Sequence, residues 1–168
     1  NLADLIRASQ AEIISDIDPL PEQAHYQLSD AQRRLWVINQ FEESLSAFNM
    51  HLMCRLKGAL DKELLEFSLA RLIQRHESLR TTFRMIDGEP RQIIQEEEEV
   101  TCSIARTDLR RQRNKMAKAK ALATQLSNQA FDLSEGPLLR LNLMQLEDKA
   151  HVLVFNIRHI VSDGWSMV

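Results

Sequence analysis

The chain has 168 residues, of which 44% are hydrophobic and 27% charged, and its formal net charge is −3. This length is enough for one domain with a buried core, and this composition is typical of a globular protein. The small negative charge gives no reason to expect nucleic acid or an anionic membrane as a partner. The longest apolar run is far shorter than the ~20 residues of a membrane helix. Cys54 and Cys102 lack metal-site or disulfide spacing, which favours a reducing, cytoplasmic location.

Residues 1–25 predict a tail and a linker. Asn1 can cap a short helix over residues 2–8. Pro19 and Pro21 favour an extended path, so residues 15–22 predict an interdomain linker. We therefore expect the structured domain to span residues 26–168.

The first half of this domain predicts helices and strands with clear start signals. Ser29 and Gln32 match a capping box, which predicts a helix over residues 30–42. Residues 48–57 alternate between apolar and polar side chains, which predicts a strand with one buried face. Asp61 predicts the start of a helix that ends near residue 76. The apolar stripe of that helix comprises Leu64, Leu65, Leu69, Leu72 and Ile73.

The second half predicts more strands around one long helix. The pair Asp87-Gly88 predicts a hairpin turn between strands 79–86 and 89–95, and the acidic run 96–99 predicts a solvated loop. A short strand is expected over residues 100–105, followed by a helix over residues 110–130 capped by Asp108. Strands 138–146 and 150–157 then form an antiparallel hairpin. Five or six strands with three or four helices predict an α/β (α+β) two-layer sandwich, a mixed sheet covered by helices.

The end of the last strand carries the candidate site. His159 follows the apolar run 151–157, and Asp163 and Gly164 come four and five residues later. Glycine tolerates backbone angles closed to other residues, so a sharp turn is expected at Gly164. The imidazole could simply cap a turn, or it could pair with Asp163 on a metal. The glycine and the preceding strand disfavour the metal pair, because the residues do not share a helix face. A third hypothesis is acyl transfer, with His159 as base or positioning group.

Four segments resemble the nonribosomal peptide synthetase condensation domains, which share a fold with chloramphenicol acetyltransferase. The segment from His159 to Ser166 is similar to the family's core motif H-x-x-x-D-G, and Arg158 stands where the family usually has a first histidine. Segments 29–36, 75–83 and 131–140 resemble further family motifs in the expected order. The resemblance implies that residues 26–168 form the N-terminal lobe of such a domain, in the acetyltransferase-like fold.

The resemblance also implies a function. An acyl or peptidyl thioester on one carrier domain would react with an aminoacyl thioester on another, with both substrates held on 4′-phosphopantetheine arms. The implied partners are the upstream and downstream peptidyl carrier domains and the C-terminal lobe, and no cofactor is expected on this lobe. His159 would orient the amine or accept its proton, Asp163 would brace the loop through an arginine, and the Gly164 N–H would face the oxyanion. We expect the fragment alone to be inactive.

Two alternatives remain open at this point. The first is a non-catalytic platform that only docks carrier domains, which the replacement of the usual first histidine by Arg158 leaves possible. A CoA-dependent acyltransferase acting on a small molecule is the other, and the carrier-like tail at residues 1–25 argues against it.

Overall fold

The structure is a computed structural model that describes residues 20–41, 46–100, 103–164 and 166. Over these residues the chain forms seven strands and three α-helices. The strands are β1 (Tyr26–Gln27), β2 (Asn49–Lys57), β3 (Thr81–Ile86), β4 (Glu89–Ile94), β5 (Ile104–Asp108), β6 (Leu139–Glu147) and β7 (Ala150–Arg158). The helices are α1 (Asp30–Ile38), α2 (Lys62–Arg75) and α3 (Lys115–Ser127), with 3₁₀ turns at Glu77–Arg80 and Glu97–Glu99. The predicted helix at residues 2–8 and the predicted linker lie almost wholly outside the described residues.

The strands form two sheets where the sequence predicted one. The larger sheet has the order β2-β7-β6-β5, and the smaller has the order β1-β4-β3. In the larger sheet β5 is parallel to β6 and the other neighbours are antiparallel, so the predicted mixed sheet and the β6–β7 hairpin are confirmed. Strand β7 lies inside the sheet and has a partner along both edges, which makes it a rigid support for the residues after it.

Helices pack against both faces of the larger sheet. Leu69 and Ile73 of α2 join the cluster that contains Leu143 and Ile157. On the other face α3 contributes Ala119 and Ala123 to a cluster with other residues of β6 and β7. The β7 sequence explains this arrangement, because a nearly continuous apolar run is typical of a strand buried on both faces.

The local start signals are mostly confirmed. The Ser29 hydroxyl accepts from the Gln32 N–H at 3.2 Å, and the Gln32 side chain accepts from the Ser29 N–H at 2.9 Å, which completes the capping box. Asp61 accepts from the N–H groups of residues 63 and 64 at the start of α2. Asp87 and Gly88 have φ values of 52° and 79°, as a tight hairpin turn requires.

The bounds of α1, β5 and α3 differ from the prediction. Helix α1 ends at Ile38 instead of residue 42. The strand expected over residues 100–105 is β5, Ile104–Asp108. Asp108 therefore belongs to a strand, and its carboxylate accepts from the backbone and side chain of Arg110. Helix α3 starts only at Lys115, after Asn114 with a left-handed φ of 54°.

The apolar stripe of α2 is only partly buried. Leu69 and Ile73 are buried, whereas Leu64 and Leu72 are 59% and 43% exposed. Strand β2 lies at an edge of the larger sheet, and its apolar residue Leu52 is 48% exposed although the sequence predicted it to be buried. The sequence pattern identified the correct helix and strand, but it did not determine how much of each is covered.

Candidate functional site

His159 is the first residue after β7. Its backbone N–H donates to the Phe48 carbonyl at 3.0 Å, which extends the pairing of β2 and β7 by one bond. The Val161 N–H donates to the Arg158 carbonyl at 3.1 Å and closes a turn around the histidine. Ile160 and Val161 are 5% and 8% exposed, so they anchor the turn in the core. The His159 side chain itself is exposed.

This arrangement presents an imidazole on a rigid support. The backbone on both sides of His159 is hydrogen-bonded, and the two residues that follow it are buried. The backbone position of His159 is therefore well defined, while the residue itself is exposed to solvent. A ring buried within the core would have excluded acyl transfer, because no substrate could approach it. In the structure His159 is exposed to solvent.

The loop after this turn is held by Asp163 and Ser166. The Ser166 N–H and hydroxyl both donate to Asp163 Oδ1, at 2.9 Å and 2.8 Å. Asp163 thus accepts two hydrogen bonds within its own loop, from a serine three residues later. The predicted pairing of Asp163 with an arginine stays a prediction. Trp165 lies outside the described residues.

Gly164 lies at a bend, as the sequence predicted, and its φ is not in the positive range that favours glycine. The glycines with positive φ in the described chain are Gly58 and Gly88. A Cβ atom placed on Gly164 would meet nothing within 4 Å. The glycine is therefore not required by a positive φ or by crowding within the described residues.

Arg158 points away from the open side of the site. It is 2% exposed, and its guanidinium donates to Asn49 Oδ1 at 3.1 Å and to Asn39 Oδ1. The ring of Phe48 lies 5.9 Å from the guanidinium carbon. Burial lowers the pKa of Arg158 from its ordinary value. The position before His159 is thus a structural one, and Arg158 fills it with hydrogen bonds to the end of α1 and the start of β2.

Asn39 and Asn49 are the residues that sequence reasoning missed. Asn39 caps the C-terminus of α1, and Asn49 also donates from its amide nitrogen to the carbonyls of Ser127 and Gln129 at 2.8 Å and 2.9 Å. Together with Arg158 they join α1, β2 and the end of α3 next to His159. No local pattern could reveal them, because their partners are distant in the sequence.

The segment 75–83 connects α2 to the smaller sheet. Arg80 donates to the Gln95 carbonyl at 2.5 Å, and its guanidinium lies 3.4 Å from the carboxylate of Glu77 in an ion pair. The Phe83 N–H donates to the Leu133 carbonyl at 2.8 Å, so this segment is bonded directly to the segment 131–140.

The segment 131–140 holds the end of α3 against β6. Phe131 is 2% exposed, and the Arg140 guanidinium carbon lies 3.9 Å from the centre of its ring. Arg140 also donates to the Ala130 carbonyl at 2.8 Å. Asp132 accepts from the hydroxyl and N–H of Ser134 at 2.7 Å and 2.8 Å, and these bonds lower the pKa of its carboxyl group.

No group of three or more His, Cys, Asp or Glu residues that could hold a metal ion is found in the described part of the chain. Within the same residues no helix has both the length and the apolar character needed to cross a membrane.

Comparison with known proteins identifies the class to which this fold belongs. The starter condensation domain of the rhizomide synthetase superposes with a TM-score of 0.78 at 25% identity, over 85% of this chain and 34% of that chain. A four-domain nonribosomal peptide synthetase bound to AMP and glycine superposes with a TM-score of 0.74 at 24% identity, over 91% of this chain and 12% of that chain. The second similarity supports the fold alone.

The sequence comparisons specify the family. The sequence model described as Condensation domain matches residues 22–168, and the chain belongs to this family. Over 99% of its length the chain is 43% identical to a linear gramicidin synthase of Brevibacillus parabrevis. Over 99% it is also 38% identical to bacitracin synthase 3 of Bacillus licheniformis. The chain spans 2% of the length of each of these two relatives.

Proposed function

We propose that this chain forms the histidine-bearing part of a condensation domain that joins a carrier-bound acyl or peptidyl thioester to a carrier-bound aminoacyl thioester. The observation that supports this most directly is the exposed His159 on a backbone hydrogen-bonded to Phe48. Family membership supports the reaction type. The carrier domains and the rest of the condensation domain are proposed partners.

The reaction needs only modest chemical help from the protein. The amine of the acceptor attacks the thioester carbonyl, a C–N bond forms, and the sulfur of the donor arm leaves as the thiolate or thiol. Alignment of two tethered reactants can lower the barrier by about 7–11 kcal/mol. His159 would hold the attacking amine and accept its proton, which is typically worth about 10²–10⁴-fold.

The loop beyond His159 would serve the developing oxyanion. Since nothing in the described chain lies within 4 Å of a Cβ placed on Gly164, a substrate carbonyl could approach the backbone there. A backbone N–H directed at an oxyanion is a common stabilising device in acyl transfer. Asp163 would keep this loop in place through its two bonds to Ser166.

The docking-platform alternative depended on Arg158, and the structure weakens that argument. Arg158 is buried and is bonded to Asn39 and Asn49, so its difference from the usual histidine does not alter the open side of the site. The CoA-dependent alternative differs from the proposal in its acyl donor, which would be free acyl-CoA instead of a carrier-bound thioester.

The test is condensation by the complete synthetase with two loaded carrier domains. We expect His159→Ala to reduce peptide formation by about 10²–10⁴-fold while folding is retained. His51→Ala is the matched control, because His51 is an exposed histidine on β2 and should leave the rate unchanged. Near-normal peptide formation by His159→Ala would contradict a chemical role for His159. Efficient use of free acyl-CoA and failure with the loaded donor carrier would favour the CoA alternative.

A further inference from the structure

A small cavity lies beneath the first turn of α2, at the opposite end of β7 from His159. We name it the basic cavity, and its volume is about 210 Å³. At about 3.3 Å per strand residue, the eight steps from His151 to His159 place it roughly 26 Å from the candidate active site. Its lining residues are Lys62, Arg106, Thr107, Asp108, Leu143, Gln145 and His151.

His151 is the unusual residue of this cavity. It is 2% exposed, and within the described part of the chain neither of its ring nitrogens has a hydrogen-bond partner. Buried polar groups in proteins nearly always have partners, because leaving one unpaired costs free energy. The ring lines the cavity, so a bound molecule could reach it.

Hydrogen-bond donors outnumber available acceptors around His151. The Lys62 ammonium uses one of its protons on Gln145 Oε1, at 3.2 Å, and the Arg106 guanidinium bonds to Glu66 at 2.9 Å. A lysine and an arginine have more protons than these bonds use. The acidic group that lines the cavity, Asp108, already accepts several hydrogen bonds from Arg110.

The size of the cavity fits a small ligand. One water molecule occupies about 30 Å³ of liquid volume, so the basic cavity can hold several waters or one small polyatomic ion. A ligand with several acceptor oxygens and negative charge complements both the surplus donors and the two cations. Oxyanions have this chemistry, and their hydrogen bonds to charged donors are among the stronger ones in proteins.

We propose that the basic cavity binds a small oxyanion, a carboxylate or a phosphoryl group, with Lys62 and His151 as direct donors. Arg106 supplies a second positive charge, which is partly neutralised by its ion pair with Glu66. The charged groups that line the cavity with His151 are Lys62 from α2 and Arg106 and Asp108 from β5. Glu66 of α2 is bonded to Arg106, and β2 places Leu56 opposite His151. Since a bound anion favours the protonated imidazole, binding should be tighter at lower pH.

Burial lowers the pKa of His151, and the nearby Lys62 lowers it further. Above about pH 6.5, the ordinary histidine pKa, the ring without a bound anion is therefore neutral, with one N–H donor and one acceptor nitrogen. A bound oxyanion reverses this preference, so the protonation state of His151 provides a direct signal of binding.

The experiment follows the His151 ring by NMR in the 168-residue chain with isotope-labelled histidines, and His151→Gln assigns the signal. Inorganic phosphate and acetate are titrated separately, with sodium chloride at matched ionic strength as the reference. We expect a saturable shift of the His151 signal and an upward shift of its titration midpoint. We also expect Lys62→Met to weaken binding by about tenfold, whereas the exposed Lys118→Met on α3 should leave it unchanged.

The outcomes distinguish a phosphoryl ligand, a carboxylate ligand and the absence of a specific anion site. Tighter binding of phosphate assigns the cavity to a phosphoryl group, and tighter binding of acetate assigns it to a carboxylate. The proposal is overturned if neither anion gives a saturable shift, or if sodium chloride reproduces the effect. Equal effects of Lys62→Met and Lys118→Met would also overturn it, because general electrostatic screening would then explain the shift. None of these results depends on condensation activity, so they leave the proposed function to its own test.

Discussion

Arg158 and Asn49 are directly opposite one another in the antiparallel pairing of β7 and β2, and the Arg158 guanidinium donates to Asn49 Oδ1 at 3.1 Å. The same guanidinium reaches Asn39 at the end of α1. A helix, an edge strand and the interior strand are thereby joined one residue before His159. The residue that departs from the family pattern is also the one that ties these elements together.

Replacement of Arg158 by methionine should destabilise the domain. The change leaves the amide oxygens of Asn39 and Asn49 without this donor, and the loss should be about 2–3 kcal/mol in the free energy of unfolding. Urea denaturation measures it. Arg34→Met is the control, because Arg34 is exposed on α1 and the change should stay within about 0.5 kcal/mol. Equal stability of the two variants would show that the hydrogen bonds of Arg158 do not contribute to the free energy of unfolding.

Substitution of Gly164 by alanine should separate folding from activity. The new Cβ meets nothing within 4 Å and the backbone φ is not positive, so the thermal midpoint should be unchanged. Condensation by the complete synthetase should fall by as much as ~10²-fold if a substrate oxyanion approaches this backbone N–H.

Gly88→Ala gives the matched contrast for that experiment. Gly88 has a φ of +79°, so alanine there should cost roughly 1–2 kcal/mol of stability without a direct effect on chemistry. Full activity of Gly164→Ala would place the oxyanion elsewhere.

The stability of the domain should fall as the pH drops below about 6.5, the ordinary pKa of histidine, because of His151. Burial, and then the charge of Lys62, lowers the pKa of His151 in the folded state. Below that ordinary value the unfolded chain binds a proton that the folded chain does not, so unfolding is favoured as pH decreases. Above it both states are neutral at this residue and its contribution to stability is complete.

The measurement is the unfolding free energy between pH 7.5 and pH 5, the interval that brackets the ordinary histidine pKa of about 6.5, in a buffer without phosphate or carboxylate. His151→Leu should flatten the slope, whereas His51→Leu at an exposed position of β2 should not. An unchanged slope in His151→Leu would assign the acid sensitivity to other groups.

The sequence was most informative where the structure depends on neighbouring residues. Ser29 and Gln32 form the predicted capping box, and Asp61 caps α2 as expected. The turn at Asp87-Gly88 follows from the backbone angles that these residues tolerate. Each of these features is settled within four residues of chain, so a local pattern contains the necessary information.

The same local signals failed where a distant contact competed with them. Asp108 has the side chain of a helix cap, but β5 pairs with β6 as far as Asp108 and its carboxylate is occupied by Arg110. Helix α3 starts later as a result, at Lys115. An aspartate that closes a turn and one that caps a helix use the same hydrogen bonds, and only the strand pairing distinguishes them.

The sequence by itself determined the family, the mixed sheet and the position of His159 after a buried strand, because motif spacing and hydrophobic pattern are properties of the linear chain. The tertiary structure decided that the His159 ring is open while Arg158 is buried, since neighbouring residues at a strand end face opposite sides. It also brought Asn39 and Asn49 to Arg158 across 119 and 109 residues of sequence. Contacts at such separation depend on how the helices and sheets pack, which no local pattern encodes.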